Sequence, residues 1–243
     1  MKQFFVLLVV FLVFLGGMSN SQTKVINAGI GGNNTYNLLQ RLENDVLSYK
    51  PDLVVLMVGT NDMLNHRKMI SYHEYSENLL SLVEAIQNIG ARVLLMSPPP
   101  CDTTYLYQRH SRELFSQLPN DKLDSASCIL RNIAKHTGAG FIDLFREFKE
   151  MNLPQHNHDL FIRNFMNSGV KDGVHPTPLG YRFIAENVFQ FLKVNGLLQR
   201  PMKIVCFGDS ITFGSGVNGA GTVIGETYPA WLLKLINKFQ KKS

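Results

Sequence analysis

Leu53-Val54-Val55-Leu56-Met57-Val58-Gly59-Thr60-Asn61-Asp62 is the stretch that decides the fold. Its first six residues are apolar without a break, and Pro51 stands just ahead of them. A short run of this kind, with no alternation, suits a strand that is covered on both faces. The glycine then interrupts the run, and Thr60-Asn61-Asp62 leads into the next element.

A strand with two covered faces needs neighbours of the same kind and a layer of helices on each side. The flanking sequence supplies both. Residues 24–27 read as a strand, followed by a loop over 29–32, and Leu38, Leu39, Leu42, Val46 and Leu47 then recur at helical spacing. Leu79, Leu82, Val83, Ile86 and Ile89 form a second helical stripe, closed by Gly90. Residues 92–96 are the next strand, stopped by Pro98, Pro99 and Pro100. Residues 101–125 are polar and read as irregular, a lid or a substrate-facing loop. Helix over 127–136, strand over 141–144, helix over 179–194, strand over 203–207 and helix over 228–239 complete the alternation. The expected architecture is α/β, a three-layer α/β/α sandwich with a mostly parallel central sheet. No linker divides residues 22–243, which are expected to form a single domain.

The N-terminus reads differently. Lys2 precedes an unbroken apolar run over residues 4–15, and Ser19 and Ser21 give a small-x-small pattern. That layout predicts a secretory signal peptide over 1–21 and a secreted or periplasmic protein. The alternative, an anchor through residues 4–20, suffers because the run falls short of the roughly 20 residues a spanning helix wants. No stable membrane partner is expected unless that segment is retained. The chain of 243 residues carries a formal charge of +5, and its basic residues are scattered except for Lys234, Lys238, Lys241 and Lys242. Nucleic-acid binding calls for a denser stripe with aromatics between the charges, and is not expected. Cys206 lies in an apolar run and reads as a buried thiol. Cys101 and Cys128 can bridge only if the fold brings them together, which spacing alone leaves open.

Chemistry concentrates in four turns: Asn27-Ala28-Gly29-Ile30-Gly31-Gly32, Gly59-Thr60-Asn61-Asp62, Asp172-Gly173-Val174-His175-Pro176 and Gly208-Asp209-Ser210-Ile211-Thr212. Such turns share the rim at the carboxyl ends of a parallel sheet, where open α/β folds bind ligands. A serine hydroxyl becomes a nucleophile when an imidazole takes its proton, and a carboxylate on the other ring nitrogen fixes the tautomer. Ser210, His175 and Asp172 are the candidates for these roles. An oxyanion needs preorganised donors. The backbone N–H groups of Ser210 and Gly32 and the side-chain amide of Asn61 are suited to that. Each turn taken alone also reads as an ordinary capped loop; jointly they converge on one rim.

Together the four turns resemble the sequence blocks of the SGNH (GDSL) hydrolase superfamily, whose members are esterases, lipases, thioesterases and carbohydrate acetylesterases. The resemblance implies Ser210 as nucleophile and oxyanion donor, Gly32 and Asn61 as further donors, and His175 as a base positioned by Asp172. It also implies a flavodoxin-like sandwich and no cofactor. One departure is large. In that family the serine block comes first, whereas here it comes last, so residues 203–243 imply a circularly permuted chain.

On these grounds the expected activity is hydrolysis of carboxylic esters through an acyl-enzyme. By analogy within the family the substrate is a carbohydrate or other small ester, and the acyl group is short, acetyl first. A non-catalytic carbohydrate- or surface-binding module on the same fold, or an acyltransferase using the same acyl-enzyme, are the alternatives. His156 and His158 form a His-x-His pair without a convincing third ligand and read as a polar loop. His66, His73, His110 and His136 read as surface residues. No metal is expected.

Overall fold

The computed structural model describes residues 22–241 of the chain. The expected signal peptide over 1–21, and Lys242 of the basic cluster, lie outside the described residues.

Five strands form one parallel sheet: β1 (Lys24–Gly29), β2 (Leu53–Met57), β3 (Arg92–Met96), β4 (Gly140–Ile142) and β5 (Lys203–Gly208), in the order β1-β5-β2-β3-β4. The strand latest in sequence therefore sits inside the sheet. It pairs with β1 from Lys24↔Lys203 to Gly29↔Gly208, and with β2 from Leu53↔Ile204 to Met57↔Gly208.

Alternation along the buried strands divides the core. Val54, Leu56, Val205 and Phe207 point to one face, where they meet Leu38 and Leu42 of α1 (Thr35–Asp45), Leu79 and Leu82 of α3 (Tyr72–Asn88), and Leu130 of α5 (Pro119–Thr137). Leu53, Val55, Met57, Ile204 and Cys206 point to the other, against Ile184 and Val188 of α8 (Pro178–Val194) and Leu232 and Ile236 of α10 (Tyr228–Gln240). Side chains of period 2 thus serve two helical layers at once, which explains the continuous apolar run at 53–58. The three-layer α/β/α sandwich is what this sequence builds.

Residues 101–125 differ from the expected irregular loop. They hold α4 (Thr103–Arg109), a 3-10 turn at Arg112–Leu114 and the first turns of α5. Asp102 caps α4 by accepting from the Thr104 N–H at 2.9 Å, and Pro119 occupies the first turn of α5. The periodicity was absent because α4 is short and buries only the adjacent Tyr105 and Leu106. A further short helix, α6 (Leu144–Glu150), begins where the sequence suggested the strand was ending. Cys101 is buried, Cys128 is exposed and Cys206 is buried, all three as free thiols, so no bridge joins Cys101 to Cys128.

Glycine is required where β5 meets its neighbours. A Cβ on Gly208 would stand 2.2 Å from the Met57 carbonyl oxygen, and one on Gly29 would stand 2.1 Å from the Phe213 nitrogen. Both contacts are with backbone, which cannot move aside, and this close packing brings the strand ends and their turns together.

Candidate active site

The turn after β5 is a short helix, α9 (Ser210–Phe213), capped by the Asp209 carboxylate on the Ile211 N–H at 2.9 Å. Ser210 is thereby held at the first helical position, at the end of a central strand. Its Oγ lies 3.0 Å from His175 Nε2, and His175 Nδ1 lies 2.9 and 3.0 Å from the two carboxylate oxygens of Asp172. The three residues form one continuous hydrogen-bonded line.

The loop that carries Asp172 and His175 owes its shape to backbone bonds. Gly173 takes a φ of +74° and donates to the Arg163 carbonyl at 2.8 Å, while its own carbonyl accepts from the Asp102 N–H at 2.7 Å. Asp172 Oδ1 also accepts from the Val174 and His175 N–H groups, each at 2.9 Å. Burial alone would raise the Asp172 carboxyl. The hydrogen bond and charge of His175, joined by these backbone donors, instead hold it well below the usual carboxylate range. Two guanidinium groups flank it, Arg163 Nη1 at 3.6 Å and Arg109 Nη1 at 3.9 Å.

Asn61 is held by a second set of contacts. Gly59 caps α2 (Thr60–Leu64) at a φ of +141°, a backbone state that favours glycine. The Asn61 amide donates to the Asn33 carbonyl at 3.0 Å, and its Oδ1 accepts from Asn65 Nδ2 at 3.2 Å, so the amide cannot flip without losing both bonds. Gly32, at φ +76°, precedes Asn33 in the same loop. Among the described residues, no acceptor takes the Gly32 or Ser210 N–H.

Gly32, Asn61, His175 and Ser210 line one cavity of about 330 Å³, with Leu64, Leu106 and Val174 as its apolar wall. Of the five residues singled out in the sequence, four line the cavity and Asp172 lies directly behind His175. Among the described residues, no three His, Cys, Asp or Glu side chains are grouped to hold a metal ion.

Several participants escaped the sequence reading. His66 is exposed, as expected of a surface residue, but it pairs with His110, which is half-buried and lines the cavity, Nδ1 to Nδ1 at 2.7 Å. His156 stays in a polar loop, with Nδ1 at 2.7 Å from the Asp102 carboxylate. Arg41 is the most connected of those missed: Nε donates to Asn33 Oδ1 at 2.7 Å, Nη1 to the Ala28 carbonyl at 2.9 Å and Nη2 to the Gly208 carbonyl at 2.8 Å. Its position between Leu38 and Leu42 on α1 was a usable clue, because a basic residue beside a buried stripe must reach acceptors.

Two buried carboxyls support the site from below. Asp62 accepts from the Thr35 N–H at 2.9 Å and from the Thr35 hydroxyl at 2.6 Å, and burial pushes it up to about 6. Burial pushes Asp209 up to about 7, with the nearby Asp62 charge adding to the effect.

The fold, together with the family and relatives that follow, supports a hydrolase of carboxylic esters. The chain belongs to the GDSL-like Lipase/Acylhydrolase family, whose model matches residues 15–183. That span includes Gly32, Asn61, Asp172 and His175 and ends before Ser210. Among curated relatives, the chain is 27% identical over 177 residues to the uncharacterized lipoprotein YqeF of Bacillus subtilis, covering 68% of this chain and 71% of that one. It is 25% identical over 170 residues to an acetylxylan esterase of Geobacillus stearothermophilus (67% and 68% covered), and 28% over 173 residues to an arylesterase of Vibrio mimicus (69% and 69%). Among solved structures, the acetyl xylan esterase AlAXEase superposes with a TM-score of 0.55 at 26% identity, covering 68% of this chain and 79% of that one. A variant of the acetyl-xylooligosaccharide esterase Axe2 from Geobacillus stearothermophilus gives 0.53 at 25% identity, covering 68% of each.

Proposed function

We propose that the protein removes short acyl groups, acetyl first, from carbohydrate or other small esters by way of an acyl-enzyme on Ser210. His175 takes the serine proton as Oγ attacks the ester carbonyl, and later returns it to the leaving alkoxide. Asp172 holds the imidazole in the tautomer with Nδ1–H and balances the imidazolium. The N–H groups of Ser210 and Gly32 and the amide of Asn61 donate to the developing oxyanion. Water then attacks the acyl carbonyl, His175 again acting as base, and the carboxylic acid leaves.

The observation that carries this reading is the unbroken line from Ser210 Oγ through His175 to Asp172, with contacts of 3.0 and 2.9 Å. The small apolar wall of the cavity favours a short acyl group, and the acetylxylan esterases and arylesterase among the relatives favour the same class. The test is labelling of the intact protein by an active-site fluorophosphonate, lost in Ser210→Ala, together with turnover of aryl esters of rising chain length. A protein that neither labels nor cleaves a short aryl ester is a binding module rather than an enzyme.

The segment order supports a circular permutation within one domain over 22–243. β5 lies between β1 and β2, and the two ends of the described chain are neighbours: the Thr23 hydroxyl donates to Gln240 Oε1 at 3.1 Å. Moving residues 203–243 ahead of residue 24 is expected to give a folded, active protein; an insoluble product would count against it. Export is part of the same proposal. Its support is the reading of residues 1–21 and the lipoprotein among the relatives. Among the described residues, no helix is long and apolar enough to cross a membrane.

A further inference from the structure

We propose that the face opposite the catalytic rim docks on an anionic phospholipid membrane, with the cavity opening away from the bilayer. The proposal is independent of the chemistry assigned to Ser210.

In a parallel sheet every strand starts at the same end, and here those starts are basic. Lys24 opens β1, Arg92 opens β3 and Lys203 opens β5, while Lys50 precedes β2 and Arg200 precedes β5. Lys241 joins them from the end of α10, next to Gln240, whose side chain meets Thr23 and the Leu198 carbonyl. All but Lys203 are exposed. Backbone bonds knit the patch together: Lys24 N–H donates to Met202 at 2.9 Å, Asp52 N–H to Lys203 at 2.9 Å and Arg92 N–H to Asp52 at 3.0 Å.

These charges are not balanced within the molecule. Among the described residues, none of these cations forms an ion pair. Lys24 and Lys203 are register partners on adjacent strands, and the Lys203 ammonium finds only a neutral acceptor, the Tyr49 carbonyl, at 2.6 Å. Like charges held side by side cost a sheet stability, and an external anion relieves that cost. The acids at this end are Glu43, Asp45 and Asp52, with Glu84 a turn further up α3. Asp45 is held by Arg41 at 2.7 Å, and Asp52 accepts from the Lys203 N–H at 2.7 Å. Arg92 and Arg200 line one hollow of about 540 Å³ in which Asp52 is the sole acid among the lining residues. Helix dipoles account for Lys193 and Lys238, in the last turns of α8 and α10, but not for cations at strand starts. At the catalytic rim, by contrast, Arg109 and Arg163 face Asp172.

Two observations favour a bilayer over a dissolved polyanion. Val194, 82% exposed, presents an apolar side chain on this face, as do Ile89 and Tyr49. Cations interspersed with apolar groups suit the headgroup boundary. Residue 24 also starts β1 here, so the chain that precedes it leaves the domain on this side, and that chain includes the unbroken apolar run over 4–15. Basic clusters beside an apolar segment are drawn to anionic lipids.

The test sediments the full-length protein with vesicles of phosphatidylcholine, alone or with about 30% phosphatidylglycerol. Partitioning is expected to be at least about tenfold stronger on the anionic vesicles at low salt, and the preference should vanish in about 0.5 M salt. The apolar run meets both vesicles alike and drops out of the comparison. Lys24→Gln, Arg92→Gln and Arg200→Gln combined should abolish the preference, at roughly fivefold per cation. Arg67→Gln, Arg112→Gln and Lys171→Gln combined remove the same charge from exposed positions near the catalytic rim and should keep it. Equal partitioning on the two vesicles overturns the proposal, as does a preference that survives high salt or an equal loss in the two combined variants. Stronger capture by long-chain polyphosphate than by anionic vesicles, at equal phosphate, overturns it as well and reassigns the face to a dissolved polyanion. If a variant fails to fold by circular dichroism, the wild-type comparison of vesicles and salt still decides.

Discussion

Arg41 Nη2 donates to the carbonyl of Gly208 at 2.8 Å, across 167 positions of sequence. The same guanidinium reaches Ala28 and Asn33 and lies 4.5 Å from the centroid of the Phe207 ring, so it joins the ends of β1 and β5 to the loop that carries Gly32. On the proposed mechanism, Arg41 is a positioning residue for the Ser210 turn and the Gly32 loop. Arg41→Met is expected to lower kcat on a short aryl ester by about tenfold to a hundredfold with little change in KM, because small misplacements of reacting groups are costly. Arg41→Lys should recover part of the loss. The Met variant should also lose about 2–3 kcal/mol of stability in urea titrations, since hydrogen bonds to a charged donor go unreplaced. An unchanged kcat in a folded Met variant would remove Arg41 from the site.

The Asn61 amide is fixed from both ends by Asn33 and Asn65. Asn61→Ala should cost about 10²–10³ in kcat, the usual range for loss of an oxyanion donor. Asn65→Ala should cost less, because it frees the amide to turn without deleting it. Steady-state kinetics on one substrate gives both values, and the order of the two losses is the informative result.

Asp172→Asn should preserve the fold and reduce kcat by roughly 10⁴, as a neutral amide stabilises the wrong imidazole tautomer. The lost carboxylate also leaves Arg109 and Arg163 without the anion they share. Burst kinetics with a chromogenic ester would locate the defect in formation of the acyl-enzyme.

Stability contributed by two buried carboxyls should fall as pH rises from about 4 to about 7. Burial raises Asp62 to about 6 and Asp209 to about 7, above the unfolded value near 3.8. The folded state therefore binds protons that the unfolded state has already released. Its advantage is complete below about pH 4 and is lost as pH climbs toward 7. Asp172 has the opposite sign: its depressed value gives stability that is present above about pH 4 and lost on further acidification. Asp62→Asn should flatten the decline between pH 4 and 7 by roughly 2–4 kcal/mol. Asp209→Asn should act likewise while keeping the cap on α9. Urea denaturation across that range measures both effects, and an unaltered slope would contradict the assignment.

The parts of this molecule that could be read from sequence are those with short-range cause. The apolar run at 53–58 announced a strand with two covered faces, and the stripe of Leu79, Leu82, Val83 and Ile86 announced α3, because periodicity records burial directly. The turns holding Gly32, Asn61 and Ser210 were visible because each follows a strand. Arg41, Arg109, Arg163 and the His66–His110 pair were not, since their partners come from remote segments and a long side chain leaves no periodic trace. The helix α4 was hidden for a related reason: it is held by the Asp102 cap and two adjacent buried residues, with no repeat to count.

β5 occupies the interior of the sheet, yet it follows every other strand along the chain. During synthesis β1 and β2 emerge from the ribosome long before the strand that must lie between them. Until it arrives they have to remain apart, for direct pairing would close the slot. The interior pairings, such as Lys24 with Lys203, span almost the whole domain, and such high contact order makes for slow assembly. Until residues 203–208 are made, the slot between β1 and β2 stays empty, a delay in which open sheet edges need protection.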